Sequence, residues 1–497
     1  MAEKTAIIGG GPAGLGAAYR LQESGDGDFR VYEQNAHLGG LSASFTDSAG
    51  FTWDIGGHVL FSHYPAFDRV FQELMGSEFQ RNNRECWIRM RGAWVPYPFQ
   101  YNIRHLPRDL CCECLVGLVK ARAGGSAAAA DNCADFMRRA FGEGIFRHFM
   151  QPYNFKVWAH PLEMMGKGWI GERVAEVDLE KSIRNILLEQ DEAGWGPNNR
   201  FQFPLSGGTG EFFRRFAGPL AGRLSLGRRL VAANLETRRL TFEDGLTVGY
   251  RRLVTTIPLD RFIRLVTSEV PRDVRRAAEA LRHSGGHMVG IGLRQPCPST
   301  RSWMYFPESN CPFYRVTYLS NYSPHMTPDR HRHYSLLCET SYSDLKPVPA
   351  STIVEETIRG LVSTGLLAER DREDIVTAWH YDAGYSYPVP TLDRDQSLAR
   401  IMPFLEAKDV FSRGRFGLWK YEAGNMDHSL MQGVELADRL LSGKEETTAG
   451  VASLALAAAA KTPVRLWSPR FGRRAQAVIG EGAAAEELGV SLPAGSR

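Results

Sequence analysis

The sequence has almost no net charge: 59 basic against 56 acidic side chains leave +3 over 497 residues. So weak a global field gives no general attraction for nucleic acid or an anionic membrane, although a few arginines in one cleft would barely alter the total. No apolar run reaches spanning length and no signal peptide is recognisable, so the expected setting is cytoplasmic with no membrane partner. Cysteine is present but unorganised. Of the eight, only Cys111, Cys112 and Cys114 cluster, inside a stretch (110–120) that reads as a helix, where such neighbours point in different directions. No second Cys/His group has zinc spacing, so no metal is expected and the thiols read as buried and reduced. No carboxylate pair is placed for glycosidase chemistry, no Ser–His–Asp set stands out, and no repeat of solenoid period is visible.

What is present begins with a glycine loop. Thr5–Ile8 is a short apolar run that reads as a buried strand, followed by Gly9, Gly11 and Gly14 in G-x-G-x-x-G spacing and then by a helix through Ala17, Ala18 and Leu21. Gly9 makes the tight turn, Gly11 lets backbone approach a pyrophosphate, and Gly14 lets helix pack on strand. The helix N-terminus then points its N–H groups at the phosphates. Phe29–Glu33 reads as the next strand, ending in an acid 19 residues after Gly14, where a ribose hydroxyl needs an acceptor. Gly39-Gly40 follows as a second close-approach point, typical of FAD rather than NAD folds. These three features in register predict an FAD-binding Rossmann-type core.

At 497 residues, 43% hydrophobic and 23% charged, the chain is an ordinary globular protein long enough for two or three lobes. Gly56, Gly57, His58 and Phe61 lie in an aromatic, glycine-paired stretch that would border a flat ligand. Cys86–Met90 and Ala93–Val95 read as a hairpin ending in a rigid aromatic corner at Pro96–Gln100. From His105 to about Glu192 the periodicity is helical, with a low-complexity link at Gly124–Ala130. Arg229–Asn234, Arg239–Phe242, Thr247–Tyr250 and Arg252–Ile257 alternate as strands, the last returning to the parallel sheet. Leu230 and Val231 fall where such flavoproteins pass backbone beside adenine. Further strands are expected at Met288–Leu293, Trp303–Phe306, Tyr314–Ser320 and Tyr334–Thr340. Ser412–Ser429 reads as a strand, glycine loop and helix that closes over the flavin, and an Ala/Gly-rich tail with no chemistry of its own follows Gly443. The expected fold is α/β: a Rossmann-type FAD domain (1–80, 199–272, 395–446) with an inserted helical lobe (103–198), an antiparallel-sheet substrate lobe (81–102, 273–394) and a tail (447–497).

Outside the fingerprint, the motif residues are aromatic (Tyr97, Trp158, Tyr305, Tyr322, Tyr387, Tyr421) or cationic (Arg173, Arg315, Arg415). Singly, each reads as core packing or a surface ion pair. Recurring beside Gly, Pro or Asn, they suit a diphosphate: guanidinium forks bind it bidentately and phenols donate to its oxygens.

These stretches together resemble the eukaryotic-type UDP-galactopyranose mutases. The matching segments are WDIGGHVLFSHY (53–64), GAWVPYPFQ (92–100), PYNFKVWA (152–159), GERV (171–174), GWGPN (194–198), WMYFPESNCPFYR (303–315), SNYSP (320–324), YPVPTL (387–392) and SRGRFG-x-W-x-YE-x-GN-x-DHS (412–429). The resemblance implies a six-stranded antiparallel sheet lobe beside the FAD and helical lobes. It implies interconversion of UDP-galactopyranose and UDP-galactofuranose without net redox, through a covalent adduct of the sugar on N5 of reduced FAD. NADPH or NADH would be the reductant and a UDP-hexose the substrate, with a homo-oligomer possible.

Residue by residue, the resemblance assigns Arg173 and Arg315 to the pyrophosphate, and Tyr305, Tyr322, Tyr387 and Tyr421 to its oxygens. Tyr385 is the alternative to Tyr387, because the Tyr385–Pro388 stretch is longer than the family pattern. Tyr97, Gln100, Tyr153, Asn154 and Asn198 would serve the uridine end or the loops closing over it, Trp158 the sugar, and His58 with Phe61 the flavin edge. Gly9, Gly11, Gly14, Glu33, Gly40, Gly57, Leu230, Gly414, Arg415, Asn425, Met426 and Ser429 would hold FAD, Met426 standing where a polar residue, commonly Gln, is expected. Competing readings are the same chemistry on another nucleotide sugar, a flavin oxidoreductase of the amine-oxidase or desaturase type, and a catalytically idle FAD-binding protein.

Overall fold

The strand Ala2–Ile8 lies at the centre of a seven-stranded sheet in the computed structural model, which describes residues 2–124 and 127–450. It pairs in parallel with Phe29–Tyr32 on one side and with positions 249–255 of the strand Thr247–Thr255 on the other. Ala6 and Ile7 are fully buried, as a strand covered on both faces requires. Thr247–Thr255 is one continuous strand, where two had been expected. Its first half pairs antiparallel with Arg239–Phe242, and its second half pairs in parallel with Val410–Ser412. One chain segment thus joins the antiparallel meander to the parallel core.

The fingerprint helix Pro12–Glu23 carries the terminal helix Met426–Ser442 directly against it. A Cβ on Gly16 would stand 2.2 Å from the Leu430 carbonyl oxygen, and one on Gly433 would stand 2.0 Å from that of Ala13. The two helices touch backbone to backbone, so alanine at either position would force them apart. Sequence spacing assigned jobs to Gly9, Gly11 and Gly14 but passed over this contact.

A second seven-stranded sheet runs Ile375–Val389, Arg282–Leu293, Tyr334–Tyr342, Arg315–Tyr318, Trp303–Tyr305, Cys86–Met90, Ala93–Pro96. This corrects the six-stranded antiparallel expectation twice. It has seven strands, and Trp303–Tyr305 pairs in parallel with Cys86–Met90. The hairpin 86–96 precedes the helical segment in the chain and the other five strands follow it. Ile375–Val389, at 15 residues the longest strand, was not expected.

Between them lie the helices Arg108–Ala123, Cys133–Ile145, Gln151–Trp158 and Leu179–Leu187. Leu118, Met137, Ile145 and Phe146 form their core with Phe99 of the aromatic corner, each such side chain contributing about 2 kcal/mol by leaving water. Of the expected low-complexity link, residues 125 and 126 lie outside the described residues, and Ala127–Ala129 forms one helical turn.

The chain does not become a tail at Gly443. Glu446, 3% exposed, is held by Arg413 and Arg439, and Thr447 and Thr448 donate to Glu435. Removing one member of such a buried pair leaves an uncompensated charge, so 444–450 belongs to the folded body. The alanine runs 457–460 and 483–485 lie outside the described residues. No helix among the described residues is long and apolar enough to cross a membrane.

Candidate active site

At the fingerprint, Gly11 caps the helix Pro12–Glu23 with no side-chain bond to the first-turn N–H groups and no acid in that turn. Its missing side chain faces Gly39 O and Gly40 Cα, each 3.9 Å from where a Cβ would stand. An uncapped helix N-terminus under bare backbone is an anion cradle of pyrophosphate size. Glu33 Oε2 accepts from Gly10 N at 2.7 Å and Oε1 from Asn35 N at 2.8 Å. Each oxygen keeps a lone pair for a ribose hydroxyl. Gly414 donates its N–H to Gln432 Oε1 (2.7 Å) and lies over Ala13. These residues fit the FAD that the fingerprint implies.

The loop Gly56-Gly57-His58 joins this end to the second sheet. Gly57 N donates to Glu339 Oε1 at 3.0 Å. Glu339 also accepts from Arg315 Nε, from Arg315 Nη2 (2.8 Å) and from the Tyr314 hydroxyl (2.8 Å). Tyr314 in turn lies 3.1 Å, oxygen to oxygen, from Tyr387.

From Tyr387 the cluster continues through aromatic contacts. Trp158 packs edge-on against Tyr387 and Tyr421, with ring centroids 5.6 and 4.7 Å away. Arg415 lies over the rings of Tyr387 (4.9 Å) and Tyr421 (5.3 Å), donating to the Ser386 and Gly424 carbonyls. Arg173 lies over Tyr421 (4.6 Å) and donates to Asn425 Oδ1 (2.8 Å) and to the carbonyls of Tyr421 and Glu422. Tyr305 joins through Tyr97 and Tyr153, at 5.7 and 5.1 Å. Arg173, Arg315 and Arg415 thus converge, and among the described residues Glu339 is the one carboxylate hydrogen-bonded to any of them.

Burial shapes the ionisation here. It opposes charge on Glu339, but Arg315, the Gly57 N–H and the Tyr314 hydroxyl outweigh it, holding the carboxyl below its usual range. Burial and the Arg315 charge push His58 down to about 4, so its imidazole is neutral. Burial holds Tyr305, Tyr314 and Tyr322 well above the ordinary phenol range, keeping them as hydrogen-bond donors. Arg415 is lowered by burial first, partly offset by the phenols of Tyr387 and Tyr421. Among the described residues, His58 Nδ1, Trp158 Nε1 and the Tyr322 hydroxyl are buried and find no hydrogen-bond partner, and such atoms are costly unless a ligand satisfies them.

Other expected site residues are committed elsewhere. Gln100 Nε2 donates to Ala175 O (2.6 Å), bracing the loop that carries Arg173. Asn154 Nδ2 donates to Met150 O (2.7 Å) inside the helical core, so its amide N–H is spent on backbone. Asn198 accepts from Arg84, whose guanidinium covers Tyr97 and Trp303. Leu230 is buried in the core with Tyr32 and Phe242, Met426 packs against the fingerprint helix's apolar face, and Ser429 lies within the terminal helix. Phe61 packs on His63. The two alternatives differ in surroundings: Tyr385 donates to Asp260 Oδ2 (2.9 Å), accepts from Arg264 and stacks on His283, whereas Tyr387 lies under Arg415 and beside Tyr314.

Sequence reasoning missed Glu339, Tyr314 and the pair Arg394–Glu422. Arg394 grips Glu422 with two bonds (2.9 and 2.7 Å) and so fixes the loop whose carbonyls receive Arg173. A lone charged residue in a buried strand was the available signal for Glu339.

A family model described as flavin containing amine oxidoreductase matches residues 12–441. A crystal structure of reduced UDP-galactopyranose mutase superposes with a TM-score of 0.87 at 43% identity, covering 90% of this chain and 96% of that one. A fatty acid isomerase from P. acnes (TM-score 0.59, 16% identity, 88% and 98% covered) and a putrescine oxidase bound to putrescine (0.61, 14%, 89% and 99%) share the fold alone. Among curated sequences, a Baeyer-Villiger monooxygenase of Pseudomonas aeruginosa is 34% identical over 91 residues, 18% of this chain. A 4,4'-diaponeurosporene oxygenase of Staphylococcus aureus is 38% identical over 72 residues, 14% of this chain. The chain spans only 17% and 14% of those two proteins' lengths.

Proposed function

The chain belongs to the flavin containing amine oxidoreductase family and, within it, to the UDP-galactopyranose mutases; from that premise we propose that it interconverts UDP-galactopyranose and UDP-galactofuranose with FAD as cofactor. The observation that carries this reading is the convergence of Arg173, Arg315 and Arg415 on a tyrosine-lined cleft in which one carboxylate, Glu339, offsets them. Such a site recognises a diphosphate and repels the cationic substrate of an amine oxidase.

Reduced FAD, held by the fingerprint residues, would supply nucleophilic chemistry at the anomeric carbon. The chain's own residues do the rest. Arg173, Arg315 and Arg415 hold the diphosphate and receive the charge that builds on its leaving oxygen. Tyr387, kept protonated by burial, donates along the same line, while the one O–H of Tyr314 goes to Glu339 and holds Tyr387 from behind. Trp158 Nε1 and the neutral His58 Nδ1, both buried without a hydrogen-bond partner among the described residues, have capacity for the sugar hydroxyls. Tyr97, Tyr153 and Tyr305 form an aromatic box for the uridine, with Asn198 and Arg84 holding the 194–199 loop beside it. Glu339 and Arg394 act through Arg315 and Glu422 and are positioning residues.

NADPH, or NADH, is proposed as reductant, and anaerobic mixing should bleach the oxidised-flavin absorption; an unbleached flavin would reject it. The function itself is tested by incubating dithionite-reduced protein anaerobically with UDP-galactopyranose and separating products by HPLC. A furanose product is expected, and its absence sinks the galactose reading. A panel of other nucleotide sugars then shows whether the chemistry is kept on another hexose.

A further inference from the structure

His63, Asp427 and His428 form a second cluster, where the loop following His58 meets the first turn of the terminal helix. His63 Nδ1 lies 2.7 Å from Asp427 Oδ2, and His428 Nδ1 lies 3.1 Å from Asp427 Oδ1. One potential ligand atom from each of the three falls within 4.8 Å of the others. The imidazole rings are 5.0 Å apart and tilted by 56°. Asp427 is 1% exposed, whereas His63 and His428 keep 25% and 12% of their surface open to solvent. The backbone N–H of His63 also points at Asp427, at 3.2 Å.

We propose that this cluster binds a first-row divalent cation of the zinc class, ligated by Asp427 and by one nitrogen of each histidine, with water completing the shell. Two imidazoles and a carboxylate are a donor set that suits zinc, and three protein ligands plus water is its open type of site. Each imidazole contributes the nitrogen now turned to the carboxylate, its proton passing to the other ring nitrogen or to water. Donors on one tetrahedral zinc stand about 3.3 Å apart, against 2.7 and 3.1 Å between each histidine and Asp427 here. The side chains must therefore spread slightly and the two rings close on each other. The partial exposure of both rings gives the cation its entry path and leaves the rings room to turn.

Two segments would be joined by such a cation. His63 belongs to the loop that begins with Gly56-Gly57-His58, and Asp427 lies in the first turn of the helix capped by Asn425, the residue that accepts from Arg173. The cation would fix the histidine loop to that helix.

The test uses flavin-loaded protein stripped with a chelator, desalted, supplied with one equivalent of zinc chloride and desalted again, with zinc counted by mass spectrometry. Affinity is measured by competition with a chromogenic zinc chelator. Wild type is expected to keep one zinc per chain and to melt at a higher temperature with it. His428→Gln, altering a partly exposed ring, and Asp427→Asn, conserving shape, should each weaken binding by at least about tenfold. His105→Gln, which removes a comparable histidine–aspartate pair (His105 to Asp191, 2.7 Å) elsewhere on the surface, should bind as wild type. Flavin absorbance shows that each variant is folded, and no readout depends on sugar turnover. Loss of zinc from wild type on desalting, or retention by both H428Q and D427N, would overturn the proposal.

Discussion

Glu339 takes Arg315 by two nitrogens, Nε and Nη2, so this arginine reaches the cleft with one edge already held by a carboxylate. The same carboxylate receives Gly57 N and the Tyr314 hydroxyl, which ties the histidine loop and the diphosphate clamp to one pair of oxygens. Position and charge of Arg315 are set together.

Glu339→Gln keeps the shape and removes the charge. The buried guanidinium then lacks an anion, a change that costs about 3 kcal/mol. Chemical denaturation of the flavin-loaded variant should show that loss. Saturating UDP should recover part of it, since a phosphate replaces the missing charge. An unchanged unfolding midpoint would show that Arg315 does not depend on this partner.

Tyr387→Phe and Tyr385→Phe separate two neighbouring phenols. Removing the Tyr387 hydroxyl deletes a donor beside Tyr314, and one lost hydrogen bond to a charged oxygen corresponds to about a tenfold fall in kcat/KM. Tyr385→Phe should leave kcat/KM near wild type and lower stability instead, because Asp260 loses a donor. Equal kinetic losses in the two variants would refute the assignment.

Arg415→Met tests whether stability has been exchanged for anion recognition. Burial disfavours the charge, and the hydrogen bonds of Arg415 go to carbonyls and not to a carboxylate. The ligand-free variant should melt at or above the wild-type temperature. Its affinity for UDP, read by calorimetry, should fall at least about tenfold, as loss of a charge-assisted contact requires. Unaltered UDP binding would remove Arg415 from the receptor.

His58 makes stability depend on pH in a defined direction. Its folded value is about 4 against 6.5 when unperturbed. Between those values the unfolded chain binds a proton that the folded one refuses, so stability declines as pH drops through that window. The contribution is complete above the unperturbed value. His58→Asn lacks the group, so its stability curve should be flatter over the same range. Parallel curves for variant and wild type would exclude His58 as the source.

Local pattern revealed the first sheet well, because Thr5–Ile8 and Leu253–Thr255 are buried on both faces and read as plain apolar runs. The strand Ile375–Val389 escaped notice because it is half-buried over most of its length, mixing Thr, His, Asp and Tyr without strict alternation. Its partner Arg282–Leu293 supplies the order that its own residues do not declare. At the site, tyrosines and arginines stood out beside glycine and proline, whereas Glu339 did not. It acts on Arg315, 24 residues earlier, through a cross-strand pairing visible only once Arg315–Tyr318 lies against Tyr334–Tyr342. Gln100 and Asn154 show the opposite case. Their amides stood among motif residues, yet folding turned them to backbone carbonyls.

Both sheets take strands from distant parts of the chain. The first needs Ala2–Ile8 and Val410–Ser412 around Thr247–Thr255, and the second needs Cys86–Met90 beside Trp303–Tyr305. On the ribosome, the glycine loop is made first and must wait some four hundred residues for the helix that covers it, Met426–Ser442. Contacts of such sequence separation form slowly and expose apolar surface meanwhile. A chain halted anywhere before that helix would therefore carry an FAD fingerprint with nothing to close it.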